Sequence, residues 1–408
     1  MTSTMDPMLR GQDDAKVLEL VEQLLHDHPP ATSAPEEIWA AQYDLGLAWV
    51  HFPVGRGGLG LDPRLQEVVD DRLRDAGVAS NLLVNMMGVG MAGPTLLAYG
   101  SDAHLDRHLR TAFSCEEIWC QMFSEPGAGS DLAALSTRAV RDGDEWVVDG
   151  QKVWTTQAHV ARWGLLLTRS DTEAPKHKGL TYFFVDMHSP GIEVRPLRQL
   201  TGDAEFNEVY FTGVRIPDSQ RLGDVGDGWR VALTTLMNER VTVGAMGKER
   251  RGQGDIRHAV ELWKARGLDD PVQRDQLARL WIEGEVLRLT NLRAQARRSQ
   301  GEPGPEGAIL KLMVGTYQQR LFTFMLHLLG PEGMLISDYL MRRPATQGET
   351  FGADGRVDHQ KAFLAVRGTT IGGGTTDIGR NILGERVLGL PGEPRVDKDL
   401  PWSKVPRS

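Results

Sequence analysis

Eight consecutive residues, Ser124-Glu125-Pro126-Gly127-Ala128-Gly129-Ser130-Asp131, combine two glycines and a proline with short polar side chains. Glycine lets a backbone pass close to a ligand, proline stiffens the approach, and serine and aspartate offer short donors and acceptors. Further on, Asp149-Gly150 separates WVV from QKVW, a spacing that predicts a tight hairpin turning at Asp-Gly. That hairpin would place Trp154 and Thr156 on a strand beside the glycine loop. An aromatic plate, hydroxyls and free amide N–H groups together suit a flat, hydrogen-bonding heterocycle. An ordinary surface turn and hairpin has the same composition, so these residues alone leave both readings open.

The chain changes texture on either side of this stretch. Before it, Asp13 and Asp14 precede Val17, Val21, Leu24 and Leu25, a helical spacing that Pro29 and Pro30 stop. A second helical patch surrounds 38–45. Gly55, Gly57 and Gly60 fit the dinucleotide pattern G-x-G-x-x-G, but Pro63 follows at once and no strand–helix–strand unit frames them. That match is discounted. Residues 65–110 read as mostly helical, with glycine breaks at 88–93 and at Gly100. From 121 onward, short runs rich in β-branched and aromatic residues alternate with turn residues: EWVVDGQKVW, WGLLLTRS, GLTYFFVDM, GIEVRPL and NEVYFTGVRIP.

From Trp229 the helical period returns. Leu277, Leu280, Trp281, Gly284 and Leu287 share one face. Leu310, Val314, Tyr317, Leu321, Phe324 and Leu328 recur at alternating spacings of four and three, the pattern of a bundle seam. Gly330-Pro331 ends that helix, and the last residues read as a proline- and charge-rich tail. The expectation is an α+β chain: an N-terminal helical domain at 1–120, a central β domain at 121–224, a C-terminal helical bundle at 225–385 and a tail at 386–408. With 408 residues the chain exceeds one usual core.

The net charge of −9 argues against nucleic acid or an anionic membrane surface as partner. Two cysteines, Cys115 and Cys120, are too few for a disulfide framework or a zinc site and read as reduced core thiols. The first residues lack the basic start and apolar core of a signal peptide, and no apolar run approaches a membrane span. A cytoplasmic protein is expected.

SEPGAGSD followed by GQKVWTT resembles the flavin-binding signature of the acyl-CoA dehydrogenase family, TEPxAGSD…GxKxWITN. The likeness extends from GLAWVHFPVGRGGLGLD to GTTIGGGTTDIGRNILGERVLG. It implies a helical domain, a β-barrel-like domain and a helical bundle, with bound FAD. The activity implied is α,β-dehydrogenation of an acyl-CoA thioester, with electrons passed to an electron-transfer flavoprotein. By position in these motifs, the resemblance gives cofactor-binding roles to Gln121, Met122, Ser124, Gly129, Ser130, Trp154, Thr155, Thr156, Thr375 and Asp377. It gives substrate-binding roles to Ser130, Arg240 and Gly374.

Abstracting the α proton needs a base, and no side chain accepts the β hydride, so a cofactor must. Many members of the resembled family carry the base in IYEGTSEIQR. Here Ile371-Gly372-Gly373-Gly374-Thr375-Thr376-Asp377-Ile378-Gly379-Arg380 stands there, with Gly373 in place of the glutamate. A second branch, including isovaleryl-CoA and long-chain members, keeps its base in a D-x-E-R setting on the first helix after the β domain. This chain has Met237-Asn238-Glu239-Arg240 at that place. Apolar Leu233, Leu236, Val241 and Val243 surround Glu239 in sequence, and burial would raise its pKa toward that of a useful base. A solvated Glu239, paired with a surface charge, is the plainer alternative. The Gly373 N–H would donate to the thioester oxygen, and Thr375 and Thr376 would open the next helix, whose N-terminus favours a phosphate of the cofactor. A flexible glycine hinge is the plainer reading of 372–374. The missing side chains there predict tolerance of branched or ring-bearing acyl chains.

The chain departs from the family at two places. ELWKARG stands where R-x-x-F-G reaches a neighbouring subunit's FAD, and His327-Leu328-Leu329-Gly330-Pro331-Glu332-Gly333 replaces QxFGGxGY. Association is expected as a homo-oligomer or as a hetero-oligomer with a related chain that supplies the missing contacts. Two other assignments fit the same residues: a non-catalytic or half-site subunit, and a flavin oxidase or monooxygenase on the same fold.

Overall fold

The structure, a computed structural model, describes residues 7–246, 251–299, 304–336, 338–346, 358–392, 394 and 397–406; the side chains of 7–10, 239–246 and 298–299 lie outside the described residues. Six helices come first: α1 (Pro7–Asp27), α2 (Pro35–Asp44), α3 (Leu65–Asp75), α4 (Leu82–Met87), α5 (Gly93–Tyr99) and α6 (Asp102–Phe113). Val17, Val21 and Leu24 of α1 are fully buried against Leu65, Val69 and Leu73 of α3, as their spacing requires. GRGGLG is a loop ahead of α3, with no strand–helix–strand unit around it.

Gly88 and Gly93 do not break the helix there. The backbone leaves the helical conformation earlier, at Asn85 (φ −136°, ψ 54°), and a π turn, Gly88–Ala92, then joins α4 to α5, so that Leu82–Tyr99 forms an apolar rod kinked at Asn85. Against the expectation that no apolar run approaches a membrane span, this rod is long and apolar enough to do so, with a mean hydropathy of 1.4, yet 56% of it is buried inside the molecule. At the bend, the buried Asn85 amide donates to the carbonyls of Ala112 and Glu117, and its oxygen accepts the N–H groups of Gly88 and Trp119. One asparagine thus satisfies the opened helix and ties it to the first strand.

Eight strands follow: β1 (Trp119–Met122), β2 (Arg138–Asp142), β3 (Glu145–Thr156), β4 (Trp163–Arg169), β5 (Leu180–Asp186), β6 (Ile192–Pro196), β7 (Phe206–Pro217) and β8 (Arg221–Leu222). They lie in the order β6-β7-β3-β2-β4-β5-β8, with β1 parallel to β4. All seven residues of β4 are buried, and their alternation explains it. Leu165 and Leu167 face the helices with Tyr182 and Phe184, whereas Leu166 joins Phe183, Val185, Trp146 and Val209 in a second core on the other face.

The expected Asp-Gly hairpin is not formed. The turn lies earlier, at Gly143-Asp144 between β2 and β3, and β3 continues unbroken through Asp149 and Gly150 as a bulge against β7. The reason is steric: a side chain at Gly150 would sit 2.6 Å from Thr137 Oγ1 and 2.7 Å from Thr137 Cα, so the glycine serves close strand approach rather than a turn.

The rest is helical: α7 (Gly228–Met246), α8 (Asp255–Ala265), α9 (Pro271–Ser299), α10 (Glu306–Leu329), α11 (His359–Ala365) and α12 (Thr376–Ile382). On α10, Tyr317, Leu321, Phe324 and Leu328 are buried against Leu277, Leu280 and Leu287 of α9; Leu310 is partly buried and Val314 is exposed. Hydroxyls fix α7 to the other layers. Thr235 Oγ1 lies 3.0 Å from both Thr95 Oγ1 of α5 and Tyr182 Oη of β5, and Thr234 Oγ1 lies 3.0 Å from Tyr99 Oη. Residues 397–406, expected as part of a tail, instead dock on the β domain, where Trp402 is buried.

Candidate active site

The two halves of the glycine-loop stretch meet at a buried ion pair. Lys152, fully buried, donates from Nζ to Glu125 Oε1 at 2.8 Å and to the Phe123 carbonyl at 2.9 Å. The Glu125 carboxylate also accepts the Ser136 N–H at 2.7 Å, the Ser136 hydroxyl at 2.9 Å and the Thr137 N–H at 2.9 Å. Burial opposes ionisation of Glu125, but the charge and hydrogen bond of Lys152 and the donors on Thr137 and Ser136 outweigh it and hold the carboxyl at about 2. Burial pulls the Lys152 ammonium below its ordinary value while Glu125 pulls the other way. The Glu125 carboxylate is thus held in its charged form at neutral pH, facing the Lys152 ammonium. The Val153 N–H adds a bond to the Ser124 carbonyl at 2.9 Å.

Beyond this clamp the ladder to β7 shifts register between Lys152 and Thr155. Trp154 occupies the irregularity with φ 62° and 58% of its surface exposed, its ring edge-on to Phe206 at 5.8 Å. The bulge turns a large aromatic face outward at the cost of an unusual backbone, and such cost gathers at functional positions. Gly127 and Gly129 are exposed with open space where a side chain would stand. Ser124 and Thr156 are half-buried, and the Thr155 hydroxyl is buried with no hydrogen-bond partner. An open aromatic face, a loop stripped of side chains and an orphaned hydroxyl fit the edge and face of a flat heterocycle such as the flavin ring.

The strands bring together Ser124, Gly129, Ser130, Trp154, Thr155 and Thr156 on β3 and the loop that follows β1. Gln121 is half-buried on β1. The Met122 side chain is fully buried in the core of the sheet, where a side chain on Gly164 would meet its methyl at 2.3 Å, so only its backbone is left to meet a cofactor. Gln157, next after Thr156, donates to the carbonyls of Val84 and Ala345, tying the cradle to the N-terminal helices and to the segment at 338–346.

Gly373, Gly374, Thr375 and Asp377 are placed on the bundle. Lys311 Nζ donates to the Thr369 and Gly372 carbonyls, and Gly373 and Gly374 have φ of 66° and 94°, values that favour glycine. Thr375 caps α12, its hydroxyl accepting the Ile378 N–H at 3.2 Å, and Asp377 pairs with Arg380. None of the hydrogen bonds these residues make among the described residues reaches Ser124, Trp154 or Thr156. Glu239 and Arg240 lie within α7, four and five residues after Thr235; their side chains lie outside the described residues. His327 lines a groove of about 840 Å³ between α9 and α10, with Arg279, Glu283, Arg320 and Arg367.

Sequence reasoning passed over Glu125 and Lys152 as working residues. The available signal was their placement, one in each half of the stretch, at positions where a loop and a strand must be joined.

Fold and site together define a helix–sheet–helix protein with an open aromatic cradle on its central sheet. The profile described as "Acyl-CoA dehydrogenase, middle domain" matches residues 120–214, and "Acyl-CoA dehydrogenase, C-terminal domain" matches residues 226–388. Acyl-CoA dehydrogenase IpdE1 of Mycobacterium tuberculosis is 36% identical over 352 residues, which cover 86% of this chain and 86% of that protein. Acyl-CoA dehydrogenase FadE34 of the same organism is 39% identical over 389 residues, 93% of this chain but 50% of FadE34. The chain therefore spans half the length of that relative. Among solved structures, the Tcur3481-Tcur3483 steroid ACAD is similar with a TM-score of 0.71 and 26% identity, covering 96% of this chain and 100% of that one. The chain belongs to the acyl-CoA dehydrogenase family of oxidoreductases.

Proposed function

We propose that this chain is an FAD-dependent acyl-CoA dehydrogenase whose substrate is a bulky, ring-bearing acyl-CoA thioester. The observation that carries the proposal is the Trp154 face, turned outward beside the open Gly127 and Gly129 positions and the orphaned Thr155 hydroxyl. FAD, when bound, supplies the hydride acceptor that no side chain offers. Trp154 would cover the ring, and Ser124, Ser130, Thr155 and Thr156 would meet its polar edge. Glu239 would take the α proton, since Gly373 at the alternative position has no side chain to do so. The Gly373 N–H would donate to the thioester oxygen, where negative charge develops. Glycines at 372–374 remove bulk beside the reacting carbons, and a solved relative of this chain is named a steroid ACAD, which supports a ring-bearing acyl group. Electrons would pass to an electron-transfer flavoprotein, in the cytosol.

A second reading has support of its own: the chain is one subunit of a hetero-oligomer. It lacks the R-x-x-F-G motif near Glu261, and it covers half of FadE34. A solved ChsE4-ChsE5 complex from Mycobacterium tuberculosis shares the fold. Its partner would then supply contacts to the far end of FAD.

The test uses the purified chain, its flavin content, and turnover of CoA thioesters of graded bulk with an artificial electron acceptor. Glu239→Gln is expected to keep its flavin and lose about 10²–10⁴-fold in turnover, the range for a positioned base. Near-normal turnover would overturn the assignment of Glu239, and turnover of short unbranched thioesters alone would overturn the substrate class. A flavin-poor chain that gains flavin and activity with a related subunit would favour the second reading.

A further inference from the structure

The segment at 397–406 is held against the β domain by contacts that converge on one short stretch of chain. Its backbone runs beside 172–175: the Trp402 N–H donates to the Ala174 carbonyl at 3.0 Å, the Ser403 N–H to the Thr172 carbonyl at 2.9 Å, and Pro401 bridges Pro175. The Trp402 indole N–H donates to the Ala134 carbonyl at 3.1 Å. The Trp402 ring lies 5.0 Å from the guanidinium carbon of Arg169, a buried arginine that donates to the Ala133 and Lys176 carbonyls. Lys176 Nζ bridges two carboxylates, Asp131 at 2.8 Å and Asp397 of the segment. Side-chain entropy makes an exposed aspartate such as Asp131 expensive to hold with one partner. Here its lysine is itself held from the opposite side.

Asp131 closes the loop that starts at Gly127, and Ala133 and Ala134 belong to the short helical turn directly after it. On its leading side the loop is held by Ala128, buried and exchanging backbone hydrogen bonds with Glu125 at 3.0 Å. Beyond Ala128, no side-chain hydrogen bond among the described residues holds Gly129 or Ser130, and their placement depends also on the residues that follow them.

We infer that residues 397–406 are a strap that positions the ligand-facing loop at 127–131, through Trp402 on Ala134 and Asp397 on Lys176. Binding of the flavin and of the acyl-CoA arm at that loop therefore depends on residues more than 260 positions away in sequence. Asp397, Trp402, Arg169 and Lys176 are positioning residues that act through the loop. This rests on the reading of the cradle as a flavin site, and the test separates the two.

The full chain is compared with Asp397→Asn, Trp402→Phe and Trp402→Ala, each checked for folding by circular dichroism. Two quantities are read: amide exchange across 126–135, and the FAD dissociation constant of the flavin-stripped protein from quenching of flavin fluorescence. Trp402→Ala is expected to raise exchange in 126–135 selectively and to weaken FAD binding about tenfold, the scale of one or two lost ordering contacts. Asp397→Asn is expected to weaken binding less, and Trp402→Phe, which keeps the face over Arg169, to fall between wild type and Trp402→Ala. FAD affinity within twofold of wild type in folded Trp402→Ala, or exchange that rises equally in β4 and β5, would overturn the strap. Should Trp402→Ala fail to fold, unchanged exchange at 126–135 in Asp397→Asn would overturn it instead. A wild-type chain that binds no FAD would overturn the cofactor reading, and selective exchange at 126–135 would then decide for or against the strap alone.

Discussion

Lys152→Met removes one partner of a pair that has no solvent to fall back on. Lys152 is fully buried, and Glu125 keeps only 7% of its surface exposed. Removing one member of such a pair costs about 3–5 kcal/mol, because an uncompensated charge stays buried. The Ser136 and Thr137 donors remain on the carboxylate, so the lower end of that range is expected, about 3 kcal/mol. The Phe123 carbonyl loses its charged donor as well. For a chain of 408 residues the melting temperature is expected to fall by about 3–4 °C, taking roughly 1.2 °C per kcal/mol from about 2.1 cal/mol/K of unfolding entropy per residue. The double variant Glu125→Gln/Lys152→Met leaves no buried charge and should regain part of the loss. Flavin affinity should fall in both, because the strand that presents Trp154 is no longer tied to the loop at 123–125. The assay is thermal unfolding followed at 222 nm, with FAD titration of the stripped proteins. A single variant as stable as wild type, or a double variant less stable than the single, would refute the argument.

Gly150→Ala should lose about 1–3 kcal/mol in urea unfolding, since a methyl cannot share space with the Thr137 backbone; an unchanged midpoint would show that the strands separate freely. His108, buried among Trp119, Trp163 and Phe184, is pushed down to about 4, by burial first and then by the charge of Arg107. The folded imidazole stays neutral while the unfolded one takes up a proton near 6.5, so stability should fall as pH drops from 6.5 to about 4, by about 3 kcal/mol in all. His108→Phe should flatten that limb; an unchanged slope would place the acid sensitivity elsewhere. Below it, Glu125 contributes stability that is lost as pH falls from its ordinary 4.5 toward about 2, a limb that Glu125→Gln should remove.

Periodicity carried the layers of this chain because burial enforces it locally. Val17, Val21 and Leu24, or Tyr317, Leu321 and Phe324, must share a face whatever they pack against, and they do. Trp154, Gly127 and Gly129 stood out in the sequence for a related reason: an exposed aromatic ring and bare glycines are costly or unusual where nothing needs them. Asp149-Gly150 misled because a turn and a bulge ask for the same residues, and only the approach of Thr137, just before β2, separates them. Gly88 and Gly93 misled likewise, since the kink falls at Asn85, whose side chain satisfies the backbone it opens. Met122 has its side chain on the core face of the sheet, a choice fixed by strand register.

Local sequence could determine which residues prefer helix, strand or turn, and which few are too exposed or too bare to be structural filler. It could not determine partners. Glu125 and Lys152 are ordinary surface residues until folding removes water from both, and Trp402 and Asp397 read as tail until they meet Ala134 and Lys176. A charge or an indole has the same side chain in a loop as in a core. Its energy depends on what surrounds it, and for these residues the surroundings come from strands and loops far away in the chain.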